Sequence, residues 1–288
     1  MNRDAGGWLR RREAAEPPPH PAGTRVDADL AYGRWPAQRL DVYRPAQAQA
    51  QAQSAPVLVV VHGGAWITGD KQQPQVVGHK LAHWGPKGWI VVAINYRRLP
   101  WADPREQAID VARALAYVQR EAAGWGGDTG RIVVLGHSTG AHLAALVLAD
   151  TALAAAAGCV APAAAVLVDS AALDVVEVMD GAHLPLHDRA FGDQRAGWEL
   201  ASPWHRAATL QAAPPPVLLL CSSLREDSTR QSERFAARLV ERGGRARSVA
   251  LPLTHAELNE QLGQPGEATN QVDAFLAECF APPAAAAG

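Results

Sequence analysis

Val57-Leu58-Val59-Val60-Val61 is an unbroken aliphatic run in which all but Leu58 are β-branched. A strand with one wet face alternates apolar and polar residues. This run leaves no face for water, so it belongs in a sheet covered on both sides, as parallel sheets are. Trp89–Asn95, Ile132–Leu135, Ala164–Val168 and Val217–Cys221 repeat the signal, and Ser248–Leu251 is a shorter, weaker example. Helical patterns lie between them. Gln73–Lys87 sets Val76, Val77, Leu81 and Trp84 on one face, and Pro104–Ala122 opens on a proline suited to a first helical turn. Arg230–Arg242 and Gln271–Phe280 complete the set. Strands alternating with helices predict an α/β protein: an open, mostly parallel sheet with helices on both faces and right-handed crossovers. A chain of 288 residues is ample for one large domain of this kind.

The rest of the chain is arranged around that frame. Residues 1–23 are polar and proline-rich, and read either as a flexible arm or as a flap over the site. Arg25–Tyr32 and Gln38–Tyr43 alternate well enough for two strands at a sheet edge. Pro45–Ser54 is a low-complexity Ala/Gln tract, expected as an exposed loop. Residues 171–213 interrupt the alternation and are expected to form a small lid above the strand ends, walling a substrate pocket. The expected organisation is an arm over 1–23, one domain over 24–282 containing that lid, and a tail over 283–288.

Gly136-His137-Ser138-Thr139-Gly140 follows one of the buried runs and precedes the Ala/Leu-rich stretch Ala141–Ala149. Strand, sharp turn, helix is the context a G-x-S-x-G nucleophile elbow requires, with the serine hydroxyl raised over the sheet end and both glycines needed because these positions crowd each other. A serine hydroxyl needs a base, and the base needs an acid to hold its tautomer. On such a sheet they follow in the order Ser, Asp/Glu, His. Among ten histidines only His255 lies beyond the next-to-last strand, just after Ser248–Leu251, where a base hangs over the elbow. The acid is expected in the loop after Val217–Cys221, with Asp227 preferred over Glu226. Asp169 and Asp174, after the preceding strand, are the alternatives. An oxyanion needs backbone N–H donors. Thr139 supplies one, and His62-Gly63-Gly64-Ala65-Trp66 the rest, with Gly64 and Ala65 as donors and Gly63 in support. His62 is expected to brace that loop. His137 is a candidate for the pocket wall, and Trp66 and Trp101 for either wall or core.

Other chemistries find less support. The pairs His79/His83 and His183/His187 have helical metal-ligand spacing but no intervening glutamate and no third ligand, so no metal is expected. A net charge of −2 gives no reason to expect nucleic acid or an anionic membrane as partner. Cys159, Cys221 and Cys279 are widely spaced and odd in number, which points to a reducing compartment. Without an apolar segment after the N-terminal arginines, or a run long enough to span a bilayer, a cytoplasmic location is expected.

These residues resemble a family. His62-Gly63-Gly64-Ala65-Trp66, Asn95-Tyr96-Arg97-Arg98-Leu99-Pro100, Asp103-Pro104, Gln107-Ala108 and Gly136-His137-Ser138-Thr139-Gly140-Ala141-His142-Leu143 are similar to α/β-hydrolase esterases of the hormone-sensitive-lipase-like and feruloyl-esterase-like (BD-FAE) groups, which shade into kynurenine formamidases. The resemblance spans about 30–280. It implies the α/β-hydrolase fold, no metal or organic cofactor, and hydrolysis of a carboxylic ester or similar acyl bond. Ala65-Trp66 stands where the lipase-like group carries a third glycine, which favours the feruloyl-esterase and formamidase side. Thr139 replaces the usual alanine, and Ser222–Thr229 lacks the family's Gly-x-x-Asp acid loop. The expected function is a serine esterase with Ser138, His255 and Asp227 as its triad. Arylformamidase is the alternative, and a non-catalytic binding protein the rival from another class. The expected partner is a small-molecule ester or acyl substrate, with a homodimer left open.

Overall fold

The computed structural model describes residues 18–46 and 54–281. Most of the N-terminal arm, most of the Ala/Gln tract and the C-terminal tail lie outside the described residues. The chain runs β1 (Arg25–Ala31), β2 (Arg39–Arg44), β3 (Ala55–Val61), α1 (Pro74–Trp84), β4 (Ile90–Ile94), α2 (Pro104–Glu121), β5 (Gly127–His137), α3 (Thr139–Ala149) and α4 (Thr151–Ala156). It continues with β6 (Ala164–Val168), four short helices α5 (Val175–Asp180), α6 (Pro185–Phe191), α7 (Arg195–Ala201) and α8 (Pro203–Ala207), then β7 (Val217–Ser222), α9 (Glu226–Glu241), β8 (Ala246–Leu251), α10 (His255–Glu260) and α11 (Glu267–Phe280).

The eight strands form one sheet in the order β1-β2-β4-β3-β5-β6-β7-β8. β1 and β2 pair antiparallel at the edge, β2 pairs antiparallel with β4, and every other pairing is parallel. β3 lies between β4 and β5, with Val59 opposite both Val92 and Val134. Its alternate residues serve two cores. Val57, Val59 and Val61 pack with α2 and α3 on one face. Leu58 and Val60 pack with α1 and α11 on the other. Each such side chain, fully buried, contributes about 1.5–3 kcal/mol, which is why the run tolerates no polar residue.

Local signals set the helix starts. Asp103 accepts the Glu106 N–H and Glu106 returns a bond to the Asp103 N–H, a capping box with Pro104 behind it. α3 has no polar face: all of its residues are buried between the sheet, α2 and the α5–α8 segment. α9 begins at Glu226, four residues before the position its sequence periodicity suggests. That difference decides where Asp227 stands.

Candidate active site

The turn from β5 into α3 holds Ser138 at φ 56° and ψ −120°. This is strained for an L-residue, and the surroundings impose it. A Cβ on Gly136 would lie 2.3 Å from the Gly140 carbonyl oxygen, and one on Gly140 would lie 2.2 Å from that of Val61. Only glycine fits at either place. The Ser138 N–H donates to the Val168 carbonyl at 2.8 Å, which pins the turn to the end of β6.

His255 is the first residue of α10, behind a capping box formed by Thr254 and Glu257. Its Nε2 lies 3.1 Å from Ser138 Oγ, and its Nδ1 lies 2.6 Å from Asp169 Oδ2. The carboxylate assigns the ring proton to Nδ1, leaving Nε2 to accept from the serine. The structure therefore sets Asp169, not Asp227, against the imidazole. Asp169 follows β6 at φ 51° and is fully buried. Its Oδ1 accepts the Ser222 N–H at 2.8 Å and the Ser228 hydroxyl at 2.5 Å, and its Oδ2 accepts Arg225 Nη1 at 2.7 Å as well as His255. Burial alone would raise its pKa. The bonds from His255, Ser228 and Ser222 and the nearby Arg225 charge outweigh that and hold the carboxyl well below the usual carboxylate range.

Asp227 fails for a geometric reason. The loop after β7 is only residues 223–225, so Asp227 already sits in the first turn of α9. Its side chain is 53% exposed, accepts the Ser228 N–H at 2.8 Å and reaches Arg225 at 3.5 Å. Glu226 shares that turn, where acidic side chains suit the helix dipole. Asp174 caps α5 and pairs with Arg234.

Across from the serine, Gly64, Ala65 and Trp66 all have positive φ, at 134°, 52° and 60°. Among the described residues, no partner in the chain takes the N–H of Gly64, Ala65 or Thr139. Gly63 packs beside the elbow, where a Cβ would stand 3.0 Å from Ser138 Cβ. The loop is braced from behind. His62 Nδ1–H donates to the Gly63 carbonyl at 2.7 Å, and its ring stacks on Tyr96, whose hydroxyl donates to the His62 carbonyl at 2.8 Å. The Trp66 carbonyl accepts from Leu99 N–H and Gln107 Nε2. Trp66 Nε1 donates to His142 Nδ1 at 3.2 Å, and His142 Nε2 donates to the Ala201 carbonyl at 2.8 Å. Burial holds His62 and His142 down to about 4, so both brace as neutral rings.

These groups open into a cavity of about 780 Å³. Ala65, Trp66, Ser138, Thr139 and His255 line it, with Val178, Leu186 and His187 from the 171–213 segment and Arg230 and Gln231 from α9. His137 is not on that wall. Its Nε2 donates to the His255 carbonyl at 3.0 Å, and burial, with His255 beside it, holds it down to about 3. Trp101 stands 62% exposed, away from wall and core. Among the described residues no group of three or more metal-ligating side chains is gathered, and no helix is long and apolar enough to cross a membrane.

The sheet order, the strained serine between parallel strand and helix, and the histidine after the last strand define the α/β-hydrolase fold. Solved structures of that fold superpose over nearly the whole chain: esterase B from Lactobacillus rhamnosis at TM-score 0.71 and 20% identity, covering 91% of this chain and 89% of that one, and esterase 2 from Thermogutta terrifontis at 0.70 and 21%, covering 93% and 97%. Within that fold, the chain matches the BD-FAE family model over residues 40–159. It is similar to the probable carboxylic ester hydrolase LipM of Mycobacterium tuberculosis, 41% identical over 122 residues, or 42% of this chain and 27% of that protein. It is also similar to the isoprenylcysteine alpha-carbonyl methylesterase ICME of Arabidopsis thaliana, 34% identical over 128 residues, or 44% and 29%. The matched segment thus spans under a third of either relative.

Proposed function

We propose that this chain is a serine hydrolase cleaving carboxylic esters of small or medium substrates through an acyl-enzyme. One observation carries the reading: an unbroken hydrogen-bond relay, Ser138 to His255 to Asp169, opens onto a cavity beside unused N–H groups. Ser138 Oγ attacks the ester carbonyl carbon while its proton passes to His255 Nε2. Asp169 holds the Nδ1 proton and offsets the charge of the imidazolium that forms. The N–H groups of Thr139, Gly64 and Ala65 receive the oxyanion, with Gly63 keeping the loop close to the elbow. Collapse breaks the bond to the alcohol oxygen, which takes the proton from His255. Water then attacks the acyl carbon with His255 as base, releasing the acid and restoring the serine. The relatives, a probable carboxylic ester hydrolase and a methylesterase, support the reaction class. We read residues 171–213 as the lid that shapes the pocket.

The test is p-nitrophenol release from acetyl, butyryl and octanoyl esters by the wild-type protein and Ser138→Ala. The variant is expected to lose about 10⁴-fold or more in kcat. Equal turnover by the two would overturn the mechanism. The ranking of the three esters measures the acyl pocket.

A further inference from the structure

The loop after β7 brings a cation to the relay in place of a carboxylate. Arg225, the N-cap residue of α9, sets Nη1 2.7 Å from Asp169 Oδ2 and 2.9 Å from His255 Nδ1, so guanidinium, carboxylate and imidazole meet at one point. Its Nη2 lies 3.5 Å from Asp227, and its side chain also lines the cavity. Asp169 does not need this contact for lack of partners: His255, Ser222 and Ser228 already donate to it.

Resting on the serine-hydrolase reading, we infer that Arg225 is a positioning residue that extends the working range of His255 to lower pH. A positive charge this close opposes a second one on the imidazole and shields it from the full pull of Asp169, and both effects favour the neutral ring that can take the serine proton. The other groups facing His255 are few. Asp169 comes from the end of β6, Ser138 from the elbow, and His137 from the end of β5, its ring centroid 4.5 Å away and neutral. Asp227 faces Arg225 rather than the ring. Arg225 is the cation at hydrogen-bond distance from the ring; Lys80, on α1, reaches the same helix four residues on, at the Asn259 carbonyl 2.9 Å away.

The experiment is the pH dependence of Ser138 labelling by a fluorophosphonate, followed in the wild-type protein, Arg225→Gln, Arg225→Lys and Ser138→Ala. Glutamine keeps hydrogen-bond donors without charge, and lysine keeps charge without the fork. Arg225→Gln is expected to move the acid midpoint of labelling upward by about one pH unit, roughly a tenfold loss of relative rate well below the midpoint. Arg225→Lys should stay within about 0.3 of a unit of the wild type. A purely structural role would lower the plateau of both variants without moving the midpoint, and that result overturns the inference. Arg225→Met serves as a second neutral variant if glutamine impairs folding, with the same shift expected. Absence of labelling in the wild type, or equal labelling of Ser138→Ala, would sink the hydrolase reading itself, and this inference with it.

Discussion

The ends of β5 and β6 each deliver a polar residue with a positive φ to the same place, Ser138 at 56° and Asp169 at 51°. They are held by different means. Ser138 is forced into position by backbone contacts, with Gly136 and Gly140 giving way to carbonyl oxygens that allow no Cβ. Asp169 has no glycine frame. Asp is one of the few residues that visits this region readily, and its carboxylate is tied down by Ser222, Ser228, Arg225 and His255. The first device is written in five adjacent residues. The second is spread over four segments.

If the two strand ends are equal partners in one relay, breaking the second should nearly match breaking the first. Asp169→Asn is expected to lower kcat about 10³–10⁴-fold on p-nitrophenyl acetate, by upsetting the His255 tautomer. A loss under tenfold would remove Asp169 from the mechanism. The backbone side of the comparison is tested by Gly140→Ala. Its new Cβ meets the Val61 carbonyl, which cannot rotate away, so urea unfolding should record a loss of about 3 kcal/mol or more. A neutral result there would mean the elbow has room the structure does not show.

A smaller effect tests the brace behind the elbow. His142 is held down to about 4 by burial, against about 6.5 when unfolded. Between those values the unfolded chain binds a proton that the folded chain does not, so stability rises with pH across roughly 4 to 6.5, and falls as the solution is acidified through that window. His142→Gln can keep both hydrogen bonds without titrating. It should remove at most about 1.4 kcal/mol per pH unit from the slope of unfolding free energy, with the slopes from His62 and His137 remaining. An unchanged slope would mean His142 is not buried as a neutral ring. The smallest effect belongs to Asp227→Asn, expected within about twofold of wild-type kcat, since its carboxylate touches no atom of the relay. A thousandfold loss would return the acid role to Asp227.

The same contrast explains what the sequence discloses. The strands β3 to β7 are readable because burial on both faces leaves only aliphatic residues, and β6 matches its expected bounds, Ala164–Val168. The elbow, the His62–Trp66 loop and His255 are readable because each is a local device or stands at a fixed place after a strand. Asp169 is not readable that way. Which strand end faces His255 is a tertiary fact, and the chain's aspartates are alike until the sheet is assembled. Some signal was there: Asp169 directly follows five buried aliphatic residues, while the loop after β7 offers Ser223, Leu224 and Arg225 before the first carboxylate. Glu226 and Asp227 mislead because acidic residues in a first helical turn resemble a loop acid in sequence. His137 misleads in a similar way, adjacent to the nucleophile in the chain yet turned toward a backbone carbonyl.

The wholly buried α3 has a consequence for the life of the chain before it is folded. A helix with no hydrophilic side has nowhere to rest until the sheet, α2 and α8 close around it. In a nascent or refolding chain it is an adhesive rod, as ready to meet a neighbouring molecule as its own sheet. The element that seats the serine so firmly in the finished protein is therefore also the one expected to make its recovery from denaturant fall as concentration rises.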